Sequence, residues 1–435
     1  MEKNAPECRV YRRRWLILAL FVLSSMSNAL QWIQYSIITH IITHYYQVSA
    51  DAVNWTSMVF MVVYIPLIFP GSWLLDRMGL RVTTTLGALG TCVGAWIKVL
   101  SVAPDRFWVG FLGQTIVAIS QVCILSVPAR LAAVWFGPHQ VSSACSIGVF
   151  GNQFGIAIGF LFPPLIVKDH QDVDLITPEL SLMFYLVAGF TTLLLVLIVI
   201  FYRAAPPVPP SPAQAAQIAA GGGDFFGSMK RLVMNPGYVL LLIAYGINVG
   251  VFYAISTLLS QVILSHFPNH DEDAGTIGLV IVVGGMVGSV VCGIVLDRTQ
   301  RFKETTLAVY FLSLVTMAIY SFTLDCGYIS VVYVTATLLG FFMTGYLPVG
   351  FELAAELTHP EPEGTSSGLL NMAAQVFGIL FTLFYSWLFE LKGDLWANLA
   401  MCGTLVLGTA LTAAIKANLR RQAAQNKEQQ LENKA

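Results

Sequence analysis

Apolar runs long enough to cross a bilayer follow one another along this chain with little between them. Twelve of them lie near 15–42, 53–74, 82–102, 107–127, 141–166, 180–202, 237–264, 275–296, 304–323, 327–349, 366–389 and 395–416. A spanning helix needs about 20 mostly apolar residues, so the pattern predicts an all-α membrane protein. The stretch 203–235 interrupts it with Pro206-Pro207-Val208-Pro209-Pro210 and then Gly221-Gly222-Gly223, a composition that makes a linker and no span. The expected layout is a cytoplasmic N-terminus (1–14), a six-helix half (15–202), a cytoplasmic linker (203–235), a second six-helix half (236–416) and a cytoplasmic tail (417–435).

Polar positions inside the runs are the next signal. The first run carries Asn28, Gln31, Trp32, Gln34 and Tyr35 near its middle. On a continuous helix Ser25, Asn28, Trp32 and Tyr35 follow steps of three, four and three and form one stripe. Lipid cannot satisfy such a stripe, so it must face other helices or a water-filled cavity. Trp15 and Trp55 suit an interfacial belt, whereas Trp32 lies ~25 Å into its run at helical rise. The stripe is therefore expected to line a substrate site.

Other runs add Gln114 and Gln121, Asn152 and Gln153, Asn248, Tyr253 and Ser256, and Asn371 and Gln375. No Asp, Glu, Lys or Arg falls at the expected midplane, and Glu352 and Glu356 belong to a cytoplasmic helix end. Proton coupling usually needs a titratable group in the membrane, and an anionic substrate would want Arg or Lys. Aromatic faces with amides suit a poorly hydrated cation bearing a hydroxyl. The alternative for each single amide is that it bridges two helices.

Composition narrows the class. Of 435 residues 56% are hydrophobic and 11% charged, against about 25% charged in soluble domains. A net charge of −1 implies no nucleic-acid partner. The seven cysteines show no ligand spacing and read as small core residues, so neither metal nor cofactor is expected. No buried acid, base and nucleophile constellation suggests an enzyme. Placing both termini in the cytoplasm leaves only Lys98, Arg106, Lys168 and Lys392 of the 23 basic residues outside, which sets the orientation. The first run is too long for a signal peptide and leads straight into another, so it is read as a retained span. Asn54-Trp55-Thr56 is an outer-side glycosylation sequon close against the second run. His40 and His44 share a helix face at the outer end of the first run and read as a polar cap; Thr365-Ser366-Ser367 reads as a helix N-cap.

The two halves also repeat. Asp76-Arg77, followed by Gly79 and Arg81, returns as Asp297-Arg298 with Arg301, 221 residues later. Gln153 and Gln375 are 222 apart within similar surroundings, and Trp32 and Tyr253 are 221 apart. Three matches at nearly one offset argue for duplicated halves, an arrangement that places a substrate site near the midplane between them.

The Asp-Arg turns resemble the loop signature of the major facilitator superfamily, in which such residues latch one conformation; the first copy departs from it in the spacing of the preceding glycine. Gln31-Trp-Ile-Gln-Tyr35, Val134-Trp-Phe-Gly137, Gly151-Asn-Gln-Phe-Gly-Ile-Ala-Ile-Gly159, Pro348-Val-Gly-Phe-Glu352 and Glu363-Gly-Thr-Ser-Ser-Gly-Leu-Leu370 resemble the feline leukaemia virus subgroup C receptor family over about 12–416. That resemblance implies a plasma-membrane facilitator carrying choline, and ethanolamine with it, down their gradients without ion coupling. It implies an aromatic cage of Trp32 and Tyr253, polar contacts from Gln121 and Gln375, and further pocket residues Met61, Asn152 and Phe252. The expected latch is Asp76, Arg77 and Arg81 with Asp297, Arg298 and Arg301. A haem exporter depending on His40 or His44, and a membrane receptor without flux, are the alternatives.

Overall fold

The computed structural model describes residues 7–137, 140–220, 225–359 and 361–433, so the Gly221-Gly222-Gly223 stretch lies outside the described residues. Every regular element among them is a helix. The chain divides into two compact units, Met1–Gly223 and Asp224–Ala435.

The first unit contains α1 (Arg13–Trp32), a short 3-10 turn (Ser36–Ile38), α2 (Thr39–Tyr46), α3 (Ala50–Leu100), α4 (Phe107–Leu125), α5 (Val127–Trp135), α6 (Val141–Ile166), α7 (Val173–Phe201) and α8 (Pro212–Ala220). The second contains α9 (Phe225–Val233), α10 (Pro236–His266), α11 (Asp271–Thr299), α12 (Phe302–Thr323), α13 (Ile329–Thr358), α14 (Glu363–Lys392), α15 (Asp394–Ala414) and α16 (Arg420–Glu432). Among the described residues eleven helices, counting α1 with α2 and α4 with α5, are long and apolar enough to cross a membrane.

One of the eleven is double. At 1.5 Å per residue the 51 residues of α3 extend ~77 Å, more than twice a hydrocarbon core of ~30 Å. Its interior break is at Gly79, with φ 81° and ψ −178°, a region open in practice to glycine alone. The two arms match the second and third apolar runs, so twelve crossings result. The second unit turns at the equivalent place: Gln300, three residues beyond Asp297 as Gly79 is beyond Asp76, has φ 53°.

Small residues bring the helices of each unit together. On α6, Gly155 and Gly159 fall one turn apart on the face against α1. A Cβ there would meet the Met26 carbonyl oxygen at 2.6 Å and the Leu30 carbonyl oxygen at 2.5 Å. In the second unit Gly246 and Gly250 of α10 receive the ring and backbone of Phe377 of α14. Such stripes let backbones approach where lipid gives no hydrophobic drive between helices.

Several expectations change. The run 15–42 is no single helix: α1 stops at Trp32 and the chain resumes helical form only at Ser36. The β-branched series Ile33, Ile37, Ile38, Thr39, Ile41 and Ile42 favours this break by crowding the preceding turn. Tyr35 therefore leaves the stripe predicted for it. Thr365-Ser366-Ser367 is no N-cap, because α14 already starts at Glu363 without a side-chain cap. Asn54 lies within the opening turns of α3 at 1% exposure, so the sequon is closed to a glycosylating enzyme in this conformation. The linker, expected to be irregular, holds the nine-residue helices α8 and α9. Ser228 and Arg231 tie α9 to Glu361 beside α14.

Candidate functional site

In the first unit α1 delivers the polar stripe into contact with α3, α4 and α6. Asn28 donates through Nδ2 to Thr91 Oγ1 at 3.0 Å and to the Val117 carbonyl at 3.1 Å. Asn152 Nδ2 reaches back to Ser25 Oγ at 3.2 Å. These amides bridge helices, as the plainer reading of each allowed. Trp32, 5% exposed, donates its indole N–H to the Ser57 carbonyl at 3.3 Å, which fixes the ring relative to α3. Met61 is buried one turn further along α3. Gln121 of α4 is different: it is part-buried, and its Oε1 has no hydrogen-bond partner.

Gln114, expected as a cavity residue, serves the backbone instead. Its Nε2 lies 2.9 Å from the Gln31 carbonyl, 3.4 Å from the Trp32 carbonyl and 2.9 Å from the Thr56 carbonyl. In an unbroken helix the first two would accept from the amides of Tyr35 and Ser36. Gln114 supplies donors that the end of α1 lacks.

Lys98, which the charge asymmetry places on the outer side, is not a surface residue. It lies in the last turn of α3, 1% exposed. Its Nζ donates to Gln31 Oε1 at 3.0 Å and to Gln34 Oε1 at 3.4 Å, and sits 5.5 Å from the centre of the Tyr35 ring. The signal available in sequence is a lysine four residues before the end of the apolar run 82–102, a position that also suits a side chain reaching for the interface.

In the second unit α10 is buried at every position from 244 to 260 except Tyr253, which is partly open. Gln375 of α14 donates through Nε2 to the Tyr253 hydroxyl at 3.4 Å, and the Phe252 ring lies 6.2 Å from that of Tyr253. Three of the predicted site residues thus meet. Asn248, five residues before Tyr253, is fully buried with neither amide atom hydrogen-bonded. An open aromatic ring with amides beside it can hold a cation by its face and a hydroxyl by its polar atoms.

The predicted latch residues behave unequally. Asp76 pairs with Arg130 of α5 at 3.2 Å, and Arg81 donates to the Val199 carbonyl at 3.2 Å. Among the described residues Asp297, Arg298 and Arg301 are exposed and form no ion pair. His44 meets the Gln171 carbonyl at 3.0 Å and His40 lies 3.9 Å from the Asp169 carboxylate, both at the end of the first helical run.

Paired six-helix units, with isolated polar and aromatic side chains in otherwise apolar spans, define a multi-pass membrane transporter. The sequence profile of the Major Facilitator Superfamily matches residues 17–382, and the chain belongs to that superfamily. The fold agrees with a bacterial homologue of the human lysosomal transporter Spinster, at a TM-score of 0.71 and 13% identity over 95% of this chain and 99% of that one. Within the superfamily the chain is 52% identical over 428 residues to the choline/ethanolamine transporter flvcr2b of Danio rerio, covering 98% of this chain and 88% of the relative. It is 51% identical to FLVCR2 of Homo sapiens (98% and 81% covered) and 50% identical to FLVCR1 of Felis catus (96% and 75% covered), both bearing the same description. The chain belongs to the feline leukaemia virus subgroup C receptor family, a family of transporters and not of enzymes.

Proposed function

We propose that this protein carries choline, and ethanolamine with it, across the plasma membrane by alternating access, as a uniporter. The observation that carries this reading is Tyr253: the one partly open residue between 244 and 260, with the Gln375 amide 3.4 Å from its hydroxyl. A quaternary ammonium needs a π-face and no counter-charge, and the family relatives described as choline/ethanolamine transporters support that substrate class. Trp32 supplies the corresponding aromatic from the first unit. Gln121, whose Oε1 lacks a partner, and Gln375 orient the hydroxyl, while Met61, Asn152 and Phe252 complete the surroundings.

Uniport is supported by the described mid-span residues, none of which is a carboxylate that could take a coupled proton. The excess of Lys and Arg on one side supports cytoplasmic termini. Asp76, Arg77 and Arg81 with Asp297, Arg298 and Arg301 are proposed to alternate between bound and free states during the cycle. Asp76 and Arg81, engaged here, represent one of those states.

The test is uptake of labelled choline by cells expressing the protein, with sodium and pH varied, beside Trp32→Ala and Tyr253→Ala. Saturable uptake insensitive to both ions is expected. Each desolvated cation-π contact is worth about 2 kcal/mol, so either variant should raise KM roughly 30-fold. Uptake unchanged in the double variant at equal surface expression would overturn the site, and uptake driven by a sodium or proton gradient would overturn uniport.

A further inference from the structure

A buried lysine in a membrane span calls for a physical account, because an amine is costly to bury without partners. Lys98 has partners, and their placement is informative. Gln31 is the penultimate residue of α1 and Gln34 lies within the break that follows. Lys98 Nζ holds the side-chain oxygens of both, at 3.0 Å and 3.4 Å. From α4, Gln114 Nε2 reaches the Gln31 and Trp32 main-chain carbonyls. Two long side chains from two helices therefore fix a three-residue interruption immediately after Trp32. A third contact, from the Trp32 indole to the Ser57 carbonyl, ties the ring to the first arm of α3 at 3.3 Å.

We infer that Lys98 and Gln114 are positioning residues that clamp the α1 break and so set the Trp32 ring at the angle the substrate ammonium needs. The inference rests on the proposed role of Trp32 in binding. Neither residue touches substrate in this account. With the clamp gone, the end of α1 loses the contacts that hold Gln31 and Trp32 against α3 and α4, and the Trp32 ring is free to leave its acceptor.

The experiment is a double-mutant cycle on the full-length protein, measuring the Kd for labelled choline in wild type, Lys98→Met, Trp32→Ala and the pair, each normalised to folded protein. Methionine keeps the length of the side chain and removes the donor. Lys98→Met is expected to raise Kd roughly tenfold in the wild-type background and less than about twofold when Trp32 is already alanine, because both changes remove one interaction. An equal rise in both backgrounds, or an unchanged Kd with only less folded protein, overturns the clamp and leaves the binding site standing. A Trp32→Ala protein that binds choline normally overturns the site reading and the clamp with it. Gln34→Leu removes the far side of the clamp and carries the same cycle should Lys98→Met fail to reach the membrane.

Discussion

α1 and α10 stand at equivalent positions of the repeat, yet one breaks immediately after its key aromatic and the other continues for thirteen residues beyond it. The neighbours differ more than the helices themselves. An offset of 221 puts Ile319 and Thr335 where the first unit has Lys98 and Gln114. Ile319 is 42% exposed, and Thr335 spends its hydroxyl proton on its own helix, at Val331. Neither can serve a carbonyl released on another helix. The first unit can open α1 because two donors stand ready beside it; the second lacks them and keeps α10 intact. Duplication supplied the same scaffold twice, and a few polar side chains made one copy rigidly kinked.

The largest effect should come from removing the donor that serves three carbonyls. Gln114→Leu removes the donor that reaches the Gln31, Trp32 and Thr56 carbonyls. At about 1 kcal/mol for each buried group, the loss should be about 2–3 kcal/mol. Thr335→Val, the matched change in the second unit, should cost less than about 1 kcal/mol. Denaturation of the two purified proteins decides the matter: equal losses would mean that the break does not depend on Gln114.

The interior turns give a second matched pair. Gly79→Ala forces a Cβ onto φ 81°, ψ −178°, and should cost about 2 kcal/mol although no atom lies within 4 Å of that Cβ. The cost is wholly conformational. A Gly79→Ala protein as stable as wild type would show that the two arms of α3 can meet at another angle.

How much of this was legible in the sequence depends on which signal each feature leaves. Spans announce themselves through length and hydropathy, because a bilayer tolerates few alternatives. Duplication was readable from Asp76 and Asp297, Gln153 and Gln375, since their spacing survives while most other positions differ. That Tyr253 and Gln375 belong together was implied by the family resemblance and not by residue type or spacing. The break after Trp32 was not readable. It depends on Gln114, eighty-two residues away, whose amide looks the same in sequence whether it binds substrate or a carbonyl. Lys98 was hidden for a related reason, because a lysine near a span end carries the same letters whether it reaches outward to water or inward to Gln31 and Gln34.

Smaller effects distinguish how the two aromatics are held. The Trp32 indole is anchored on a main-chain carbonyl, whereas Tyr253 is anchored by a side chain that can itself be exchanged. Tyr253→Phe retains the ring face and loses the hydroxyl, and should weaken choline binding by about 1 kcal/mol, roughly fivefold in Kd. Gln375→Leu should match it, and the double variant should be little worse than either. Full additivity would mean that Gln375 contacts substrate independently of Tyr253.

The smallest effect concerns Gln300, which adopts in the second unit the positive φ that falls to Gly79 in the first. Its φ of 53° places it in the left-handed region, where a Cβ crowds the following carbonyl, and the side chain compensates by donating from Nε2 to the Asp297 carbonyl at 2.8 Å. Gln300→Gly removes the crowding and that exposed bond together, and also frees the unfolded chain. The expected balance is a gain of about 0.5 kcal/mol, read as a small rise in the melting temperature of the purified protein. A loss above about 1 kcal/mol would show that the bond to Asp297, and not the backbone angle, terminates α11. The two turns would then be alike in shape and held by different forces: a backbone that only glycine can follow at Gly79, and a side-chain clasp at Gln300.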